Sequence, residues 1–328
     1  MATRNRIADK LDSLEPAVKA AFIDAVADIR SSVTLSRLEA AIDAGDAAEA
    51  VRLAGLRSEA QWAKITESTR NAFIEGGIFF AEQAPAAIPF AFNITNPRAQ
   101  EWLRERSSTF VTEIVSDQRE AIQTALNAGA ARGDNPRRTA LDIVGRFSRR
   151  TKTRQGGIVG LTSNQASYVE NARDELLRGD TAYLRRKRRD RRFDSLVMRA
   201  ADEGKGLSRA DADRIAGRYS DRLLQLRGET IARTETLGAF NGGNHESLKQ
   251  AAEQGLVNPD NIQRVWRDSS DGRVRDSHVA VDGTVVGMDE PFIVGGAPLM
   301  FPGDPSGPPG EIIGCRCVAR NQVDWIAE

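Results

Sequence analysis

The sequence predicts an α+β protein, with a mainly helical N-terminal body followed by a small α+β C-terminal module that contains a β-hairpin. Helix start signals and apolar residues at helical spacing recur up to about residue 254. Beyond Gly255 the pattern changes to short β-branched runs broken by Asp-Gly turns and prolines. At 328 residues, 40% apolar and 28% charged, the chain has the usage of an ordinary globular protein with room for more than one domain.

The expected organisation is a helical N-terminal region over 1–90, a helical body with a basic segment over 91–228, and a compact module over 229–328. The first ninety residues are Ala-rich and helical by propensity, and Ala84 to Pro89 separates them from the body. Asn96-Pro97 starts the next helix, because Asn caps well and Pro suits the first turn. From there Leu103, Phe110, Val111, Ile114, Val115, Ile122, Ala125 and Leu126 fall on one stripe, which Gly129 and Gly133 end. Asn135-Pro136 repeats the signal before a shorter helix through Phe147. Thr151 to Gly160 reads as a loop; its Gly156-Gly157-Ile158-Val159-Gly160 lacks the Gly-Lys-Ser/Thr ending of a phosphate-binding loop. Thr162 and Ser163 offer caps for a helix to Leu177. Ser208 with Asp211 forms a capping box for a helix through Leu223, followed by a second helix near Ile231. In the module, Val279-Ala280-Val281 and Thr284-Val285-Val286 flank Asp282-Gly283, which predicts a hairpin there. Five of the twelve prolines lie between Pro298 and Pro309, a rigid irregular loop. No internal repeat is visible.

Net charge is zero, yet Arg137 to Arg192 holds 16 Lys/Arg against 6 Asp/Glu. Its densest part is Arg185, Arg186, Lys187, Arg188, Arg189, Arg191 and Arg192, interrupted only by Asp190. Seven cations in eight residues repel one another, and a polyanion relieves that repulsion while releasing counterions. DNA phosphates fit, as does an acidic protein surface; the alternative is a solvated face paired to acids elsewhere. No aromatic residue is interleaved, so base stacking is not indicated. The opening MATRNRIADK has no apolar signal core, and no run is long enough to span a membrane, so synthesis in a cytoplasm is expected. Cys315 and Cys317 are too close in sequence for an unstrained disulfide.

The C-terminal module carries a series of short motifs in order: Ile231-Ala232-Arg233-Thr234-Glu235, Val265-Trp266, Asp271-Gly272-Arg273-Val274-Arg275-Asp276-Ser277-His278, Asp282-Gly283, Asp289-Glu290-Pro291-Phe292, Phe301-Pro302-Gly303-Asp304 and Cys315-Arg316-Cys317. This series resembles the Mu F-like domain of phage minor head proteins. A weaker likeness to head-morphogenesis proteins extends upstream through Phe92-Asn93, Asn96-Pro97, Arg154-Gln155-Gly156-Gly157, Gly160-Leu161 and Arg191-Arg192-Phe193-Asp194. Gly314 stands where family members often have Asn. The resemblance implies a non-enzymatic virion protein of the phage head, made in the host cytoplasm and present in a few copies. It further implies association with the portal and other head proteins, and a role in head morphogenesis and DNA packaging or ejection. It brings no catalytic residues.

The residues also allow chemistry of their own. His278, Cys315 and Cys317 could converge on zinc, with Asp276, Asp282 or His245 as a fourth ligand; alternatively the thiols pack as small apolar groups. Asp268, Asp271, Asp276, Asp282 and Asp289, with Arg273 and Arg275, could hold a divalent metal for hydrolysis, whereas Asp in Asp-Gly turns serves turn geometry alone. The alternative function is thus a DNA-processing or effector enzyme, nuclease-like, that uses the C-terminal module. Arg233-Thr234-Glu235 is too short a basis for ADP-ribosyl transfer. A convergent acid or metal site is what divides the two readings.

Overall fold

The computed structural model describes residues 2–55 and 62–326. In chain order the helices α1 (Ala2–Ser32), α2 (Leu35–Asp43), α3 (Ala47–Ala54), α4 (Ala63–Ala81), α5 (Pro97–Ala131) and α6 (Pro136–Val144) precede two short strands, β1 (Arg146–Phe147) and β2 (Arg154–Gln155). Three more helices come next: α7 (Ser163–Arg178), α8 (Asp194–Asp202) and α9 (Arg209–Glu253). The C-terminal region holds β3 (Gln263–Arg267), α10 (Asp276–Val279), β4 (Val285–Val286), β5 (Phe292–Val294), β6 (Ala297–Leu299), α11 (Pro309–Ile312) and β7 (Val318–Gln322). The class is α+β, as expected. No helix among the described residues is long and apolar enough to cross a membrane. Contacts divide the chain into one unit of Met1–Ala21, Ala63–Thr109 and Gly228–Glu328, and a second of Phe22–Trp62 and Phe110–Arg227.

In the first unit β3 is the centre of an antiparallel sheet ordered β4-β3-β7, with Trp266 opposite Ala319 and Val265 opposite Val285. Trp266, Phe292, Val294, Leu299, Cys315 and Cys317 form its core together with Phe240 of α9, and Ile7, Leu11 and Phe79 complete it from far along the chain. The helices α4 and α9 approach with almost no space between their backbones. A Cβ on Gly76 would stand 1.9 Å from the Phe240 oxygen, and one on Gly243 would stand 1.8 Å from the Phe73 oxygen. Buried polar groups of α9 then bind neighbouring backbone: Asn241 Nδ2 donates to Pro302 O at 2.7 Å, and Gln250 Nε2 donates to Asn93 O at 3.0 Å. Arg264 of β3 is 1% exposed and donates to three carbonyls, those of Gly287 (2.9 Å), Met300 and Glu290, tying the sheet to both sides of the β5–β6 hairpin.

That hairpin, turning at Gly295-Gly296, is not where the sequence pattern placed one. Residues 276–279 form one helical turn instead of a strand, and Asp282-Gly283 leads into β4, which pairs with β3. The Asp282 carboxylate accepts from Asp268 N (2.9 Å), and Gly283 N donates to Trp266 O (2.9 Å), so the turn is held against β3 and closes no two-residue loop.

In the second unit the start signals behave as read: Asn135 caps α6, Thr162 forms a capping box with Gln165, and Ser208 Oγ accepts from Asp211 N at 3.1 Å. The short helix stops at Val144, earlier than its pattern suggested, because Gly145 turns the chain at φ +86° and Arg146-Phe147 enter β1. The two helices expected after Ser208 are one continuous 45-residue helix. The loop over 156–161 is a buried plug. Gly157 O accepts from Arg30 Nη2 (2.6 Å) and Ser220 Oγ (2.7 Å), and Gly160 N donates to Gln118 Oε1 (3.1 Å). The amides of Gly156, Ile158, Val159, Gly160 and Leu161 each donate to a protein oxygen. A buried ion network surrounds Arg173 and Asp142, with Arg132 against Glu170 at 2.7 Å and Arg146 against Asp213 at 3.0 Å.

Candidate metal centre and basic surface

His278, Cys315 and Cys317 are brought together, although 37 residues separate His278 from the nearer thiol. After α11, Gly314 adopts φ +66° and its N–H donates to Thr234 Oγ1 at 2.9 Å. That left-handed backbone is open to Gly but strained for most residues, which accounts for Gly at this position. The next three residues lead into β7 with burial alternating along them. Alternation therefore turns both thiols inward and Arg316 outward, where it pairs with Asp271 (Nη2 to Oδ1, 2.8 Å). His278 comes from α10, its ring edge-on to Trp266 at 5.6 Å. His278 is 1% exposed and each thiol 2%.

His278 Nδ1 lies 3.2 Å from Cys317 Sγ and 3.6 Å from Cys315 Sγ, and the three candidate ligand atoms lie within 4.8 Å of one another. Zinc bonds of about 2.3 Å to sulfur and 2.0–2.1 Å to nitrogen, at tetrahedral angles, imply an N···S separation of about 3.5 Å, so the donor set fits that ion. The other ring nitrogen, Nε2, lies 3.0 Å from Glu311 Oε2, which also accepts from Ser277 Oγ at 2.8 Å. A carboxylate in that position fixes the ring and its tautomer, the usual support of a metal-bound imidazole. Hydrogen bonding to Cys317, opposed by burial and helped by His278, favours the Cys315 thiolate. The same hydrogen bond, then burial and the Cys315 charge, push the Cys317 thiol up. Burial pulls the His278 imidazole down, but the Cys315 hydrogen bond and charge outweigh it and the net shift is upward. Three protein donors leave one tetrahedral position unfilled. Cys315 also lines a groove of about 170 Å³ with Leu11, Asp12, Glu15, Arg233 and Arg316.

None of the fourth ligands considered from sequence joins this group. His245 is buried against Phe301, burial and nearby Arg264 holding it down to about 3. Asp276 begins α10, and Asp282 serves the β3 turn. The remaining acids have other partners: Asp268 accepts from Ser270 N, Asp271 pairs with Arg316, and Asp289 lies 3.4 Å from Lys249. Among the described residues no group of three carboxylates converges to ion-binding distance, so the nuclease-like reading gains no support. Glu235 is bound by Arg106 (Nε to Oε2, 2.9 Å) and Arg233 faces Glu15 at 3.5 Å. Glu311 was missed; no spacing marks it, because only the fold behind the proline-rich loop carries it to the histidine.

The basic segment lies in the second unit, in two short 3-10 turns, Thr181–Arg185 and Arg191–Phe193, and the bend between them. Three of its seven cations are engaged. Arg186 grips Glu175 with two 2.7 Å bonds, Arg189 grips Asp194 with two of 2.9 Å, and Arg192 meets Asp190 at 2.6 Å. Asp190 is 1% exposed and also faces Arg222 at 3.3 Å; the Arg192 hydrogen bond holds its carboxyl down at about 2. Arg185, Lys187, Arg188 and Arg191 are exposed and make no ion pair among the described residues.

Comparison with known proteins places these features. Residues 191–320 match the family described as Phage Mu protein F like protein. That segment is similar to a phage Mu F-like domain. It begins in the basic segment and takes in His278, Cys315 and Cys317, so the motif series read from the sequence and the family match coincide. Uncharacterized protein YqbB of Bacillus subtilis (strain 168) is 36% identical over 102 residues. The match covers 30% of this chain and 31% of YqbB, so the chain spans about a third of the curated relative's length. No solved structure matches the chain.

Proposed function

We propose that the protein is a minor head protein of a tailed phage, associated with the portal and other head proteins in a few copies per virion, acting in head morphogenesis and in packaging or ejection of DNA. The Mu F-like domain over 191–320 carries this reading. A head role requires surfaces rather than a reaction centre, in keeping with acids that are spent on turns and ion pairs. Co-expression with the portal protein encoded by the same phage tests the association. Co-elution in one assembly is the expected result; separate elution at micromolar concentrations would remove the portal from the account.

Within that role, Arg185, Arg186, Lys187, Arg188, Arg189, Arg191 and Arg192 form the DNA-facing segment, binding phosphates without sequence preference. Arg185, Lys187, Arg188 and Arg191 make the contacts, and the three paired arginines shape the loop that presents them. His278, Cys315 and Cys317 hold a zinc ion whose role is structural, fastening α10 to the start of β7. The fit of the N···S distances to zinc geometry and the Glu311 support of His278 favour this assignment.

A further inference from the structure

A second basic element stands beside the first in the same unit. The strands β1 and β2 form a hairpin, Arg146 opposite Gln155 and Phe147 opposite Arg154, whose tip is Ser148-Arg149-Arg150-Thr151-Lys152-Thr153. Ser148 N donates to Thr153 O and Lys152 N to Ser148 O, both at 2.9 Å, so the tip has a defined shape. Arg146 and Arg154 are committed inward, Arg146 to Asp142 (2.9 Å) and Asp213 (3.0 Å), Arg154 to Gly145 O (3.0 Å). Arg149, Arg150 and Lys152 are exposed, with no ion pair among the described residues.

Between this hairpin and the 185–192 segment runs the first part of α9, which presents Arg214, Arg218 and Arg222 at four-residue steps on one face. One side of that row holds the basic segment. Arg214 lies 5.2 Å over the Phe193 ring, Arg218 is 3.8 Å from Asp190, and Arg222 donates to Arg189 O at 2.5 Å. The other side faces the hairpin across a groove of about 490 Å³ lined by Phe147 and Ser148, by Arg146, Arg214 and Arg218, and by Asp213 and Asp221, of which Asp213 is paired with Arg146. Hairpin tip, arginine row and basic segment are thus consecutive strips of one surface.

We propose that the β1–β2 hairpin is a second DNA-phosphate anchor, and that duplex DNA lies across the α9 arginine row between the hairpin tip and the 185–192 segment. This rests on the DNA-contact reading given above. The charges needed to hold a duplex at two places are exposed and in no ion pair among the described residues, three at the hairpin tip and four in the 185–192 segment, with the α9 arginines between them.

The test measures binding of the full chain to a short duplex of arbitrary sequence across a salt series. It compares wild type, a hairpin variant (Arg149→Gln, Arg150→Gln, Lys152→Gln) and a segment variant (Arg185→Gln, Lys187→Gln, Arg188→Gln, Arg191→Gln). All substituted side chains are exposed, so melting temperatures should match wild type and serve as the folding control. Each lost phosphate contact lowers the log–log salt slope by about 0.9, so the hairpin variant should lose up to about 2.7. The segment variant should lose a comparable amount, and the combined variant the sum. A hairpin variant with wild-type slope and affinity beside a weakened segment variant would overturn the second anchor and leave the first. A wild type with no salt-dependent binding would overturn both.

Discussion

Cys315 and Cys317 illustrate how much a single backbone setting decides. Extended residues alternate sides, so the Cys-x-Cys spacing alone puts two thiols on one face, and the sequence supports that much. It also marks His278 as the one histidine with a motif around it. What it cannot show is Glu311 behind the ring, or Thr234 receiving the Gly314 amide, since both are long-range products of the fold. If the three residues hold zinc, protein purified without added metal should contain about one zinc per chain by elemental analysis. Cys317→Ser should lower both metal content and melting temperature, and wild type should release metal on acidification, since thiolates and neutral imidazole are the binding forms. Metal-free wild type with an unchanged Cys317→Ser melting curve would make the thiols packing residues. Arg264 was invisible for a different reason: an arginine in a short strand reads as an outward residue. It is buried, with burial drawing its guanidinium down to about 10, and its hydrogens satisfy three carbonyls. Arg264→Met keeps the bulk and strands those carbonyls, each costing about 1–3 kcal/mol, so denaturant unfolding should show a loss of at least about 3 kcal/mol. A loss below about 1 kcal/mol would mean water replaces the guanidinium.

At the scale of elements, local signals were legible and their tertiary use was not. Asn96-Pro97, Asn135-Pro136, Thr162 and Ser208 each start a helix where the residue types say they should, because capping is settled within four residues. The length of α9 was not legible. Its middle is rich in Gly, Asn and Thr, poor helix formers, which the fold keeps helical by burying them against α4 and the module. Gly243→Ala would stabilise an exposed helix by about 1 kcal/mol. Here the added methyl meets the Phe73 carbonyl, rigid backbone, so calorimetry should instead show destabilisation of about 2 kcal/mol or more. A stabilised variant would contradict the close approach of α4 and α9. The misplaced hairpin has a similar origin: Asp-Gly specifies a turn, but pairing partners are chosen by the sheet, and β3 outcompeted Val279-Ala280-Val281. In the basic segment, Asp190 carries the loop. Its carboxyl is held at about 2, below the unfolded value, so its contribution is present above about pH 4 and disappears as pH falls through 2. Asp190→Asn should abolish that acid dependence and increase protease cleavage between Arg185 and Arg192. Unchanged cleavage would show that Arg186–Glu175 and Arg189–Asp194 suffice.

For the molecule as a whole, the order of short motifs in the last hundred residues carried the family, and the match over 191–320 bears it out. Composition did not carry it: a net charge of zero concealed a basic strip that becomes a surface only when β1–β2, α9 and the 185–192 segment are assembled. Nor did the sequence show that Ile7 and Leu11 share a core with Trp266, a contact spanning most of the chain. The proposed role makes the protein a minor component of the phage head. Quantitative mass spectrometry of purified, DNA-filled heads tests that directly, by counting this chain against the major capsid protein. A few copies per particle, far below the capsid subunit, is the result the account predicts. Heads that lack the chain entirely, or that carry one copy for every capsid subunit, would contradict it.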